Sequence, residues 1–146
     1  MSIIRKLVKF PITKKDLVML YCQFVRSILE FNSSVWFSSI TNEGADDLER
    51  VQRNACHIIL DHEYKSYSEA LEMLNLENLR ERRKNLALKF GKSCLDLEEM
   101  EGIFTKSNEN AHFFRNPEQF DVKFASGNRL YKSTVPTLQR LMNSAK

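Results

Sequence analysis

The sequence predicts an all-α protein, built as a small antiparallel bundle of three main helices with a partly irregular, aromatic and basic C-terminal tail. Apolar residues recur at the three- and four-residue spacing of helices with one buried face. The chain has only four Gly and three Pro, too few for the many turns of an all-β fold. Hydrophobic residues make up 42% and charged residues 28%, which allows a core and argues against a disordered chain.

The first element is a predicted short helix within residues 1–12, which Pro11 ends. Its apolar residues, at helical spacing, are Ile3, Ile4, Leu7 and Val8. So many apolar residues on a short helix need a partner. We therefore expect this helix to continue from an upstream domain that the sequence does not include.

A helical domain is predicted over residues 13–97. Its three main helices are expected near residues 14–31, 43–60 and 76–95. Thr13 and Asp16 have the spacing of a capping box at the start of the first helix, and Asn32 closes or bends it. We expect the first two helices to form an antiparallel pair clamped by Trp36, with later segments packing against them. The predicted common core of the three main helices consists of Trp36, Phe24, Ile58, Leu79 and Phe90.

The second main helix follows a cap at Thr41 and carries acidic residues in its first turns, which the helix dipole favours. Its predicted buried face consists of Leu48, Val51, Ala55 and Ile58. Its predicted solvent face consists of Arg50, Arg53, Asn54 and His57. Ion pairs four residues apart are expected between Asp46 and Arg50 and between Glu49 and Arg53. The solvent face is either simply hydrated or able to contact phosphates.

Ser66 is predicted to cap a short third helix, and Asn75 to separate it from the last main helix. The apolar stripe of that helix is Leu76, Leu79, Leu86, Ala87, Phe90 and Cys94. Arg83 falls inside this stripe. Because an unpaired buried charge costs several kcal/mol, we expect Arg83 to meet a carboxylate or backbone carbonyls, and a ligand contact is the alternative.

Residues 98–146 are predicted to be a loosely ordered tail. We expect a polar loop at residues 105–111, a strand or extended segment from Phe120 to Phe124, and a short helix beginning at Pro136. The tail interleaves aromatic residues with the cations Arg115, Lys123, Arg129 and Lys132. This composition suits single-stranded nucleic acid, and it equally suits a tail whose Phe residues pack onto the helices.

Several classes of protein are disfavoured. The three Cys residues are odd in number and widely spaced, which is typical of reduced thiols inside the cell, in the nucleus or the cytoplasm. Cys56, His57 and His62 lack the spacing of a zinc site. We expect no metal and no cofactor. No apolar run is long enough to span a membrane, and no signal peptide is recognisable at the start.

A family resemblance rests on five phrases that occur in order along nearly the whole chain. They are IRKLVKF, LVMLYCQFVRSILEFNSSVWFSSIT, DDLERVQRNACHIIL, ALEMLNLENLRERRKNLALKF and a tail containing RNPEQFDVKFA and TVPTLQRLMN. In these phrases the chain resembles the C-terminal region of non-LTR (LINE-like) retrotransposon reverse transcriptases, the part that follows the palm and runs through the thumb.

The resemblance implies a non-catalytic fragment. The palm of that family carries the metal-binding aspartates, and no palm or fingers segment is recognisable here. Gly44-Ala45-Asp46-Asp47-Leu48 is similar to the catalytic turn, but such a pair needs flanking strands and a third carboxylate. Here the pair opens an amphipathic helix, so we expect it to serve helix capping and dipole interactions.

The resemblance also implies weak, non-specific binding to the RNA or DNA backbone of a template–primer duplex, and docking onto the polymerase domains that the sequence lacks. From charge and helix face we predict contacts from Arg50, Arg53, Arg80, Lys84, Lys89 and Lys92. Two alternatives remain open. The chain is a helical protein–protein interaction module that uses Leu88, Leu95 and the aromatic tail, or it is the non-functional product of a decayed element.

Overall fold

A computed structural model describes residues 2–98, 102–104, 120–122 and 124–145 of the chain. The helices are α1 (Ser2–Leu7), α2 (Lys14–Leu20), α3 (Ser27–Leu29), α4 (Ser33–Trp36), α5 (Asn42–Leu60), α6 (Tyr67–Met73), α7 (Leu79–Leu95), α8 (Asn128–Tyr131) and α9 (Thr134–Ser144). A π-helix (Tyr21–Arg26) joins α2 to α3, and a 3₁₀ turn (Asp61–Glu63) follows α5. The described residues contain no strand, so the predicted all-α class is confirmed.

The stretch from Phe120 to Phe124, predicted as a strand or extended segment, contains no strand among the described residues, where Phe120 forms only an isolated bridge. The backbone N–H of Phe120 instead donates to Asn143 Oδ1 at 3.1 Å, and Asn143 Nδ2 donates to the Phe120 carbonyl at 3.0 Å. A single side-chain amide therefore bonds both backbone polar groups of Phe120. The predicted polar loop at residues 105–111 lies outside the described residues, as do Arg115 and Lys123.

Helix boundaries follow the local signals in the sequence. Thr13 Oγ1 accepts a hydrogen bond from the N–H of Asp16 at 3.2 Å, which confirms the predicted cap of α2. The hydroxyls of Thr41 and Ser66 accept from the N–H groups three residues on, at 3.1 and 3.3 Å, and cap α5 and α6 in the same way. The predicted breaks at Asn32 and Asn75 coincide with positive φ values of 50° and 51°.

The chain folds into two compact units. The first unit consists of residues 1–32 and 41–83, and the second consists of residues 33–40 and 84–146. This division differs from the predicted domain at 13–97 followed by a loose tail. The start of α7 belongs to the first unit and its remainder to the second, so a single bundle of three main helices is not confirmed.

The core of the first unit is formed by α1, α2, the π-helix, α5 and α6. Its buried apolar residues are Ile4, Leu17, Tyr21, Ala55, Cys56, Ile59, Leu60, Ala70, Leu74 and Leu76. Ile4 is only 2% exposed, so part of the apolar face of α1 is buried within this unit. The sequence led us to expect an upstream domain as the partner of this helix. Leu79 is also fully buried.

The buried face of α5 differs from the predicted one. The buried residues are Ala45, Glu49, Gln52, Ala55, Cys56, Ile59 and Leu60. Leu48, Val51 and Ile58 are only partly buried. The face is rotated because it includes two polar side chains, Glu49 and Gln52, whose hydrogen bonds are made inside the unit.

Three aromatic residues predicted for one common core lie elsewhere. Phe24 is 62% exposed and Phe90 is 39% exposed. Trp36 is partly buried and belongs to the second unit, so it is not part of the first-unit core that it was predicted to clamp. The neighbouring Phe37 packs against the core of the second unit, which explains why residues 33–40 belong there.

The core of the second unit joins α7 to α9. Its buried residues are Ala87, Cys94, Phe104, Phe120, Leu138 and Met142. Leu88 packs against this cluster, whereas Leu95, predicted to share a docking line with it, is largely exposed. At Gly91 a Cβ atom would lie 3.3 Å from Met142 Sδ, so the absence of a side chain allows the close approach of the two helices.

Candidate functional site

The two predicted contact residues on α5 are both exposed, but neither is a free cation. The Arg50 guanidinium pairs with the Asp47 carboxylate, one turn away on the same helix. The Arg53 guanidinium lies over the Tyr67 ring, 5.1 Å from its centroid. The predicted ion pairs from Asp46 to Arg50 and from Glu49 to Arg53 are therefore wrong, because Arg50 turns to Asp47 and Glu49 is buried.

Asp46 is paired with a more distant residue. Arg80 Nη2 on α7 lies 3.0 Å from Asp46 Oδ1 on α5, and both side chains are solvent-exposed. Asp46 and Asp47, whose sequence is similar to a polymerase turn, thus each form an ion pair with an arginine. They also lie within α5, so no strand aims them at a common point.

The other three predicted contact residues, Lys84, Lys89 and Lys92, are exposed on the part of α7 that belongs to the second unit. None of them has a carboxylate within ion-pair distance among the described residues. At about 100° per residue, Lys92 lies about 80° from Lys84 around the helix and Lys89 about 140° from it. These lysines form a broad cationic surface and not a single row.

A buried polar network lies beneath the solvent face of α5. Tyr21 Oη donates to Gln52 Oε1 at 2.8 Å, and Gln52 Nε2 donates to the Glu77 carbonyl at 2.8 Å and to Tyr67 Oη at 3.0 Å. The Tyr67 hydroxyl in turn donates to Glu49 Oε1, which also accepts the N–H of Leu79 at 3.2 Å. The side chains of Gln52 and Glu49 thereby join α5 to the π-helix, to α6 and to the start of α7.

Burial in this network shifts two tyrosine pKa values upward. The pKa of Tyr21 is raised mainly because its hydroxyl is removed from water. The pKa of Tyr67 is raised by the same desolvation and by its hydrogen bond to the Glu49 carboxylate. Both hydroxyls therefore remain protonated donors well above neutral pH.

Arg83 is 1% exposed and is the largest fully buried side chain among the described residues. Burial lowers the pKa of its guanidinium, while the nearby carboxylates of Glu49 and Glu30 act in the opposite direction. Glu30 also forms an ion pair with Arg82, with 2.7 Å between Glu30 Oε1 and Arg82 Nε. The surroundings of Arg83 thus include the carboxylates that its position in the apolar stripe led us to expect.

Sequence reasoning missed Glu49, Gln52, Tyr21 and Tyr67 as the polar centre of the first unit. A signal for the α5 pair is present, because Ala45, Glu49, Gln52, Cys56 and Ile59 follow alternating four- and three-residue spacing. A stripe that includes polar residues at this spacing indicates buried groups with partners inside the fold. Their partners, however, come from distant parts of the chain.

The first unit also contains an apolar groove with a volume of about 480 Å³. Its lining residues are Ile4, Leu7, Leu20, Phe24, Val25, Ile28 and Leu29. Two of these residues, Phe24 and Ile28, are 62% and 74% exposed, and apolar side chains exposed together are more informative than single ones. The groove is thus open to solvent along the π-helix and α3.

Within the described part of the chain, no group of three or more His, Cys, Asp or Glu side chains is placed to hold a metal ion. None of the described helices has the length and apolar character needed to cross a membrane. No protein-family model, no curated protein and no solved structure matches the chain.

Proposed function

We propose that this protein is a non-catalytic helical module that binds the phosphate backbone of nucleic acid weakly and without sequence preference. The observation that carries the proposal is the group of exposed lysines on α7, Lys84, Lys89 and Lys92, which no described carboxylate neutralises. Exposed cations of this kind attract phosphates through the release of condensed counterions. The resemblance to the post-palm region of a retrotransposon reverse transcriptase supports the same conclusion and suggests an RNA–DNA duplex as the ligand.

The proposed contacts are not equivalent. Arg50 and Arg80 already face Asp47 and Asp46, so a phosphate would have to compete with a carboxylate for each of them. Arg53 has no ion-pair partner among the described residues, and its guanidinium lies over the Tyr67 ring. We therefore assign the principal contacts to Arg53 and to the three lysines, with smaller contributions from Arg50 and Arg80.

The test is a titration of the whole chain against a fluorescein-labelled RNA–DNA duplex, followed by anisotropy at several salt concentrations. We expect a Kd of ~10⁻⁴–10⁻⁶ M at physiological salt, with similar values for duplexes of different sequence. Lys84→Ala and Arg53→Ala should each weaken binding and make the slope of log K against log salt shallower by about one. Arg80→Ala should change the slope by less.

Lys65→Ala is the matched control, because Lys65 is an exposed lysine of the first unit that the proposal does not use. Its salt slope should equal that of the unmodified chain. Absence of binding at low salt would disprove the proposal. Equal losses in Lys84→Ala and Lys65→Ala would also contradict it, because they would indicate attraction by net charge alone.

A second candidate function is supported by the apolar groove of the first unit, which suits an apolar partner surface and matches the alternative of a protein-interaction module. Salt separates the two functions, because phosphate binding weakens steeply with salt whereas apolar docking does not. Phe24→Ser, at an exposed groove residue, should leave duplex binding unchanged under the main proposal.

A further inference from the structure

The second unit contains an open surface cavity with a volume of about 370 Å³, here called the α9 cavity. It is lined by Ser38, Ser39, Asn128, Arg129, Lys132, Ser133 and Thr134. These residues provide two cations and four hydroxyl groups, and no carboxylate is among them. Three of the hydroxyls donate to backbone carbonyls, and the fourth is that of Ser38. Neither Arg129 nor Lys132 has an ion-pair partner among the described residues. The two cations and the absence of a lining carboxylate thus favour an anion over a cation.

The α9 cavity lies at the beginning of α9, a helix of 11 residues. Ser133 occupies the N-cap position with extended backbone angles but makes no capping bond, because its hydroxyl donates to the Leu130 carbonyl at 2.7 Å. The N–H groups of Thr134 and Val135 have no acceptor in the described part of the chain, and Pro136 has no N–H. The positive end of the helix dipole therefore lies at the α9 cavity, and two N–H groups in the first turn of α9 have no acceptor among the described residues.

A second, independent observation comes from a different part of the sequence. Ser38 Oγ is buried from solvent and has no hydrogen-bond partner among the described residues, although Ser38 lines the α9 cavity. A buried hydroxyl is normally satisfied by a partner. An oxyanion in the α9 cavity would provide an acceptor for this group.

Tyr131 lies on α8, between the lining residues Arg129 and Lys132 in the sequence. The Arg140 guanidinium lies 3.9 Å from the centroid of its ring, and 51% of the residue surface remains exposed. A ring supported by a cation on one side and open to solvent elsewhere is a suitable platform for a nucleic-acid base. Phosphates and unpaired bases alternate along a single-stranded nucleic acid, so a phosphate site near a ring that can stack on a base suits such a ligand.

We propose that the α9 cavity binds one phosphate group, and that a single-stranded nucleic acid supplies it while a base stacks on Tyr131. The second half of this proposal rests on the proposed function, because it extends backbone binding from duplex to single strand. The phosphate oxygens accept from Arg129, Lys132, Ser38 Oγ and the free N–H groups of Thr134 and Val135.

The first experiment titrates the ¹⁵N-labelled whole chain with inorganic phosphate at constant ionic strength and follows the amide resonances. The amides of Thr134 and Val135 should shift and saturate. Lys132→Ala should weaken the binding of phosphate by about fivefold, and Lys65→Ala should leave it unchanged. Ser38→Ala should also weaken the binding of phosphate. It should not lower the thermal unfolding midpoint, because it removes a hydroxyl that has no partner among the described residues of the free protein.

The second experiment adds a short fluorescein-labelled oligouridine. It should shift the same two amides, compete with phosphate and lose affinity in Tyr131→Ala. If phosphate binds but the oligouridine does not compete, the site takes a small phosphate compound and the single-strand half of the proposal is overturned. The whole proposal fails if phosphate leaves both amides unmoved, or if Ser38→Ala and Lys132→Ala bind phosphate as the unmodified chain does.

The phosphate half of the proposal is tested independently of the proposed duplex binding. A duplex that binds through Lys84 while the α9 amides stay unmoved with phosphate would overturn this inference and leave the proposed function intact. Phosphate binding at the α9 cavity without any duplex binding would overturn the proposed function and leave the phosphate site intact.

Discussion

At the scale of single residues, the first unit depends on side chains that carry polar atoms into its interior. Gln52 is fully buried, and it uses its carbonyl and its amide to join Tyr21, Tyr67 and the Glu77 carbonyl. Removing one partner of such a set leaves another buried group unsatisfied, which costs more than the net value of one hydrogen bond. The individual members of the network should therefore be sensitive to small substitutions.

Tyr67→Phe is the sharpest test of this network. The substitution removes one oxygen, and with it the donor to Glu49 and an acceptor for Gln52. We expect the free energy of unfolding to fall by about 1–3 kcal/mol, as measured by urea denaturation.

Tyr64→Phe is the matched control for this substitution. The Tyr64 ring contacts His57, with 4.9 Å between the ring centroids, and no described residue hydrogen-bonds its hydroxyl. Its loss should change stability by no more than about 0.5 kcal/mol. Equal costs for the two substitutions would show that the Tyr67 hydroxyl contributes nothing specific.

At the scale of elements, the helix that begins at α2 illustrates how a local pattern can mislead. The sequence predicts one uniform helix near 14–31, but its centre is a π-helix, and Phe24 in that segment is exposed while Tyr21 is completely buried. A π-helix has more residues per turn than an α-helix, so the 3.6-residue period no longer assigns faces correctly.

The exposure of Phe24 reverses an expectation about stability. From the sequence, truncation of Phe24 should cost about 3–5 kcal/mol as a core substitution. Given its exposure, Phe24→Ala should instead change the free energy of unfolding by only about 0.5 kcal/mol. Leu79→Ala, at a fully buried position, should cost about 2–5 kcal/mol.

Both variants can be compared in one urea series monitored by circular dichroism. A large loss in Phe24→Ala would mean that the groove residue is covered in solution. The groove would then be an occupied surface, and the protein-interaction function would gain support.

At the scale of the whole molecule, stability should depend on pH on the alkaline side. Burial raises the pKa of the Cys56 thiol from its ordinary value near 9 to about 11, and burial also raises the pKa values of Tyr21 and Tyr67 above their ordinary value near 10. The unfolded chain loses these protons at lower pH than the folded chain does. The folded state therefore binds more protons at high pH, and stability falls as pH rises.

We expect the free energy of unfolding to stay level up to about pH 9 and to decline between about pH 9 and 11. Urea denaturation at several pH values measures the decline, and Cys56→Ala should make it shallower because one of the contributing groups is absent. A stability that rises over this interval would contradict the burial of these three groups.

Much of the local structure could be predicted because it depends on neighbouring residues. The caps at Thr13, Thr41 and Ser66 bond to N–H groups three residues away, and the breaks at Asn32 and Asn75 follow from the tolerance of asparagine for positive φ. The need of Arg83 for carboxylate neighbours also followed from its position in an apolar stripe. Such features need no knowledge of the rest of the fold.

The sequence by itself thus determined the helical class, the main helix boundaries and the solvent exposure of Arg50 and Arg53. Only the tertiary structure decided the rotation of α5 around Glu49 and Gln52, the exposure of Phe24 and the place of residues 33–40 in the second unit. It also decided which cations remain without carboxylates. The physical reason is that capping and helical period act over three or four residues, whereas Gln52 meets Tyr21 across 31 residues and Asp46 meets Arg80 across 34.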